Sequence, residues 1–359
     1  MKLNIKNLQG GFVTLIFILA GILVAVFVAG YIVQKGVFTK NTVPSDNGLA
    51  TSMPTSPIMT SPTLSTSTCN KTDYKMAFVL IAQNQSQVTP EKVNKLTAIK
   101  DAFAKDFSTA TNALARMDTS YKVVTIVDDG TLIQNGYYLY DKVMEKFYEK
   151  NPDDFDFASI YPTFNDPNNG TQFHATVKNS IIGISTNHRD GVVDRTAQYG
   201  SKGRLLGINE MPNIDNIPLP IVGSGGLVHE TGHQWCCGVG DDFARGENGA
   251  KLEIIQQGMH FYRGLASPNK TGDPMGSDYW VPNGDGTYSR DNQPGIKIYH
   301  PFQLYFMGLL PQSEYSKKYT IYDAGVVGKD FNDKIAKFYK EVSVNDIIKV
   351  AGERQCVSS

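Results

Sequence analysis

The sequence predicts a mixed α/β domain carried behind an apolar membrane helix and an extended linker. Three observations carry that reading. Strand-length apolar runs alternate with segments of helical period between residues 75 and 184; an uncharged run of 22 residues lies near the N-terminus; and a Ser/Thr/Pro-rich stretch separates the two. Alternation of strands and helices favours a mixed sheet with helices on its faces. A chain of 359 residues with 41% hydrophobic content is long enough to bury a full core.

The N-terminal run, "FVTLIFILAGILVAVFVAGYIV" at residues 12–33, is long enough at ~1.5 Å per residue to span the ~30 Å hydrocarbon core of a bilayer. It exceeds the roughly 7–15 apolar residues of a cleaved signal peptide, so residues 1–11 read as a short cytoplasmic N-terminus and residues 12–33 as a transmembrane helix. Lys2 and Lys6 before it are matched by Lys35 and Lys40 after it, so charge sets no orientation. "QGGFVTLI" resembles the start of type IV prepilins, but Ile16 stands where they carry glutamate. Residues 34–68, dominated from Asn41 by Ser, Thr, Pro and small residues, have the composition of a disordered linker or stalk. A stalk holds a domain, residues 69–359, away from a membrane. Cys69 and Cys356 stand near the two ends of that domain, where a disulfide would suit an oxidising, extracytoplasmic compartment. If the N-terminal segment is cleaved, the domain is secreted.

Within the domain, "KMAFVLIAQ" from Lys75 has the residue types of a buried strand. "EKVNKLTAIKDAFAKDF" from Glu91 has helical spacing, with Thr89 ahead of it as a cap. "YKVVTIVDD" is a second strand, "YYLYDKVMEKFYEK" a helix ending before Pro152, "FDFASIYPTF" a third strand and "HATVKNSIIGI" a fourth along an edge. Lys plus Arg number 34 against 35 Asp plus Glu, and no basic stripe alternates with aromatics, which argues against a nucleic-acid partner.

The chemistry is concentrated in "GSGGLVHETGHQWCC". Ser224 is a candidate cap before a segment able to form two or three helical turns. On a helix, positions i and i+4 share a face, so His229 and His233 would hold one Zn2+ ion, with Glu230 beside the metal-bound water as general base. Adjacent Cys236 and Cys237 read as buried structural cysteines rather than zinc thiolates. "NGDGTYSRDN" from Asn283 has calcium-loop character without a distal bidentate Glu, and reads as an Asp-Gly turn. His300, Tyr279 and Tyr299 are candidate oxyanion donors, with no basis for choosing among them. His174 and His188 read as structural or exposed.

"HETGHQW" resembles the signature helix of the zincin metallopeptidases. Together with "MGSDYWVPNGDGTYS" and "YHPFQLYFMGLLPQSEY" it is similar to a largely uncharacterised group of bacterial extracellular zincins. The resemblance covers roughly residues 222–315 and implies an α+β zincin-like fold, a single catalytic zinc and a protein or peptide substrate. A catalytic zinc takes a third protein ligand and keeps one open position. The metzincin pattern fails, because Cys236 and Val239 occupy its glycine and third-histidine positions. Asp241, Asp242, Glu253 and His260 compete. Glu253, in "ENGAKLEII", looks like the gluzincin glutamate; His260, in "QQGMHFYRG", matches the later histidine of the uncharacterised group and ranks first. Met275 is either a hydrophobic floor under the metal, as in a Met-turn, or an ordinary core methionine. The function expected is a membrane-anchored zinc metallopeptidase. The alternatives are a surface adhesion or pilin-like protein with a structural or vestigial zinc site, and a zinc hydrolase acting on a non-peptide bond.

Overall fold

A computed structural model describes residues 71–165, 167, 172–184, 192–218, 224, 226–236, 265–323 and 335–357. The expected transmembrane helix, linker and Cys69 lie outside them, as do Cys237, Asp241, Asp242, Glu253, His260 and His188. The chain divides into Met1–Pro62 and Thr63–Ser359, and the fold described is that of the second unit. Among the described residues no helix is long and apolar enough to cross a membrane.

The coarse α/β expectation holds. Strand β1 (Asp73–Ala82) is followed by helix α1 (Pro90–Ala110), short strand β2 (Arg116–Asp118) and strand β3 (Val124–Val127). Helix α2 (Tyr140–Tyr148) leads to β4 (Phe157–Pro162), and β5 (Phe173–Thr176) and β6 (Gly207–Glu210) complete the sheet. The order is β2-β1-β4-β6-β5, with β3 pairing the far end of β1. All pairs are parallel except β6 with β5, which is antiparallel at the edge.

β1 shows why the sheet is central. Its side chains alternate between two cores: Tyr74, Met76, Phe78 and Leu80 enter one with Phe103 and Phe107 of α1, while Ala77, Val79 and Ile81 enter the other with Val143 and Phe147 of α2. A strand covered on both faces reads as a continuous apolar run, as this one does. Helix α1 starts where expected: Thr89 Oγ1 accepts from Lys92 N at 3.3 Å, and Pro90 needs no donor at the first helical position. Helix α2 starts later than its sequence suggests, because Tyr137–Tyr138 pairs with Ile133–Gln134 in a small hairpin.

The first core extends beneath three later elements. Helix α3 (Leu227–Gly232) carries the two-histidine motif; helix α4 (Pro301–Met307) packs behind it; and helix α5 (Val344–Ala351) follows a second sheet. That sheet is antiparallel, in the order β7 (Trp280–Pro282), β8 (Thr287–Arg290), β10 (Ile335–Val342), β9 (Tyr319–Asp323). The oxygen-rich segment from Asn283 closes the β7–β8 hairpin: Asp285 Oδ1 accepts from Thr287 N at 2.9 Å and Oγ1 at 2.5 Å, as an Asp-Gly turn does.

Cys236 and Cys356 are both disulfide-bonded, and Gln355–Cys356 pairs with Ile181–Ile182 beside the first sheet. Since a disulfide restricts the unfolded chain, reduction is expected to lower unfolding stability by about 2–4 kcal/mol. Denaturant unfolding with and without reductant checks this.

Candidate metal centre

Helix α3 is held by its neighbours at almost every residue. Its approach is set by Asp106 of α1, whose Oδ2 accepts from Ser224 N at 2.5 Å. Ser224 is not the cap expected from the sequence: the helix begins after Gly226, with no side-chain cap, because the Ser224 backbone is bound to α1 three residues upstream. Tyr299 donates its hydroxyl to Val228 O at 2.6 Å, and Gln303 of α4 donates to Gly232 O at 2.9 Å. Asn209 of β6 donates to Thr231 Oγ1 at 3.0 Å. Beyond the helix, the Trp235 ring packs 5.4 Å from that of Tyr74 and 5.8 Å from that of Phe157.

His229 and His233 face one another as their spacing requires. Their Nε2 atoms lie 3.0 Å apart and their rings stand perpendicular, at 89°. Two ligands at ~2.05 Å from one tetrahedral zinc would lie about 3.3 Å apart, so a small ring movement admits the ion. His229 Nδ1 donates to Pro274 O at 2.7 Å. That hydrogen bond assigns the proton to Nδ1 and leaves the Nε2 lone pair to a metal. Burial holds the His229 pKa below its ordinary value, with the Pro274 carbonyl opposing, so the ring is neutral and ready to ligate at neutral pH.

Glu230 is the third member of the cluster. His229, Glu230 and His233 form the one group of ligand-type side chains among the described residues that could hold a metal ion. The Glu230 carboxyl lies 4.0 Å from His229 Nε2, the residue is 5% exposed, and burial pushes its pKa up to about 7. A carboxyl at that value near a nucleophilic water has the proton affinity of a general base working near neutral pH.

A second buried carboxylate, which sequence reasoning missed, builds the wall opposite. Asp273 accepts from the backbone N–H groups of Met275 and His300, and burial pushes its carboxyl up to about 7 against those two donors. Its "DPMG" turn presents Pro274 O to His229 and brings the Met275 thioether against the helix. A Cβ on Gly232 would fall 2.5 Å from Met275 Sδ and 3.1 Å from Tyr299 Oη. Met275 is therefore a core methionine that also seats the motif helix. The one signal for Asp273 in the sequence was the Asp-Pro-Met-Gly turn composition.

The candidate oxyanion donors separate. Tyr299 is wholly buried and committed to Val228 O. His300 caps α4, accepting from Phe302 N at 3.1 Å, and burial lowers its pKa to about 3. Tyr279, just before β7, is half-buried. Cys236 lies in a disulfide, which removes it as a zinc thiolate.

No family model matches the chain, and no curated protein matches it. Among solved structures, the crystal structure of Kluyveromyces polysporus Argonaute with a guide RNA aligns at 14% identity with a TM-score of 0.21, covering 26% of this chain and 11% of that chain. The chain spans about a tenth of that protein's length, and a likeness of this kind bears on neither fold nor function.

Two outcomes are expected. Gly232→Ala must displace Met275 and crowd Tyr299, costing about 1–3 kcal/mol in denaturant unfolding. Glu230 has its pKa raised on folding, so its own contribution to the stability of the metal-free protein is fullest below about pH 4.5 and declines as pH rises towards 7. Glu230→Gln removes that loss, and at pH 8 the metal-free variant should unfold about 1–3 kcal/mol later than wild type, with no gain at pH 4.

Proposed function

We propose that the chain is a membrane-anchored, extracytoplasmic zinc metallopeptidase of zincin type. The observation that supports this most directly is the pair of Nε2 atoms 3.0 Å apart with the His229 Nδ1 proton committed to Pro274 O. Two imidazoles on a solvated face have no need of a backbone acceptor behind one ring; a metal-binding pair does. His229 and His233 would hold the zinc, with His260 as the third ligand from the segment outside the described residues. When bound, zinc polarises a carbonyl and acidifies its water.

The chain's own residues supply the remainder. Glu230 sits beside the ligand pair without a hydrogen-bond donor of its own among the described residues, placed to take a proton from the attacking water and return it to the leaving amine. Strand β5 is the last strand of the sheet and packs close to α3. An extended peptide is the substrate shape that such a strand accepts, by backbone pairing. The N-terminal apolar helix and the linker would hold the domain outside the membrane.

The test is metal content of the purified chain by mass spectrometry, prepared without chelator. Wild type and Glu230→Gln should each carry about one zinc, while His229→Ala, His233→Ala and His260→Ala lose it and Glu253→Ala keeps it. Glu230→Gln should cut peptide hydrolysis by roughly 10²–10⁴-fold while retaining the metal. Wild type without zinc would replace the enzyme by a stalked surface protein, and retention by His260→Ala with loss by Glu253→Ala would move the third ligand to Glu253.

A further inference from the structure

His174, on the antiparallel edge strand β5, is 7% exposed and lies behind the motif helix. Its two ring nitrogens each meet an amide oxygen: Nδ1 lies 2.7 Å from Asn209 Oδ1 and Nε2 lies 3.0 Å from Gln234 Oε1. Each amide is oriented by its other end. Asn209 Nδ2 donates to Thr231 Oγ1 at 3.0 Å, and that hydroxyl is already donating to Leu227 O at 2.8 Å. Gln234 Nε2 donates to Lys178 O at 3.0 Å. Turning over the Gln234 amide would set its oxygen against the Lys178 carbonyl, and turning over the Asn209 amide would leave Thr231 and Leu227 oxygens in contact without a proton. Both ring nitrogens must therefore donate.

We infer that His174 is a positioning residue, an imidazolium that donates from both nitrogens and fixes helix α3 to the sheet at Thr231 and Gln234, on either side of His233. Asn209 and Thr231 are wholly buried and Gln234 is 3% exposed, so these bonds are not exchanged with water, and hydrogen bonds from a charged donor in such surroundings are the strong ones. The space for the ring is reserved by Gly207: a Cβ there would fall 2.4 Å from His174 Cε1 and 2.7 Å from Gln234 Oε1. The sequence places His174 far from the motif, which is why it read as structural or exposed. The effect on the metal rests on the function proposed above; the donor roles do not.

The experiment is a long-range nitrogen–proton correlation spectrum of the full chain, metal-free, with ¹⁵N-labelled histidine, His174 being assigned by its absence in His174→Gln. It is paired with zinc affinity by chelator competition. Both His174 nitrogens protonated at neutral pH, and zinc affinity lowered roughly 10–100-fold in a His174→Gln variant of unchanged circular dichroism, are expected. One bare nitrogen, or zinc affinity within twofold of wild type in the folded variant, overturns the inference. Should His174→Gln fail to fold, Gln234→Ala decides: loss of that acceptor should move the His174 Nε2 signal and lower zinc affinity, and an unmoved spectrum with unchanged affinity overturns the assignment. If wild type binds no zinc, the metallopeptidase reading falls while the nitrogen spectrum still decides the donor roles.

Discussion

The centre depends on the clamping of a helix too short to stand alone. Helix α3 has six residues, and an isolated helix of that length is not stable in water. The convergence of His229 and His233 is therefore imposed from outside. The sheet side supplies Asn209, His174 and the ring stack of Trp235 on Tyr74 and Phe157. The opposite side supplies Tyr299, Gln303, Met275 and Pro274. These come from residues 74, 157, 174–235 and 274–303, so the histidine pair converges only when distant stretches of chain have packed onto the same core.

Two buried carboxyls near pH 7 flank the pair, and they differ in kind. Both oxygens of Asp273 are engaged by backbone N–H groups, so its burial is offset by the turn it builds. Glu230 is raised by burial alone. A carboxylate placed in such surroundings without donors is a poor structural choice, since desolvation costs more than burial of an apolar residue would return. It becomes intelligible if positive charge arrives beside it, because a nearby cation favours the ionised form that burial disfavours. Gln at this position would serve stability better and chemistry worse.

Much of the first sheet was legible because both of its signals are local. β1 and β4 are apolar runs of strand length, and α1 carries its Thr-Pro cap in the sequence itself. The histidine pair was legible for the same reason, since i, i+4 spacing is a local rule. The second sheet was not: β8 and β10 are half-exposed strands with mixed side chains, paired across a long stretch of sequence, and no short window contains the pairing. Ser224 misled because capping residues are read by type, whereas the Asp106 contact that holds it comes from α1. Asp273 went unread and His174 read only as structural or exposed, because a buried polar residue acquires its meaning from partners that only the fold brings near.

The ring nitrogens of the histidine pair carry a conflict that a bound cation would relieve. With the His229 proton on Nδ1, its Nε2 presents a lone pair towards His233 Nε2 at 3.0 Å. Two bare lone pairs at that separation repel, so without metal the His233 nitrogen must hold the proton between them. A metal held there would shift that proton to the other ring nitrogen, and because a fully protonated imidazole cannot ligate, binding would weaken as pH falls. The Pro274 carbonyl settles the competition on one side only: it keeps His229 in the ligating tautomer at all times, and His233 alone has to change. Proline serves well at that turn position, because it has no N–H of its own to satisfy, and the Asp273 carboxylate reaches past it to the amide of Met275. The turn that seats Met275 under the helix is thus the same turn that prepares His229 to ligate.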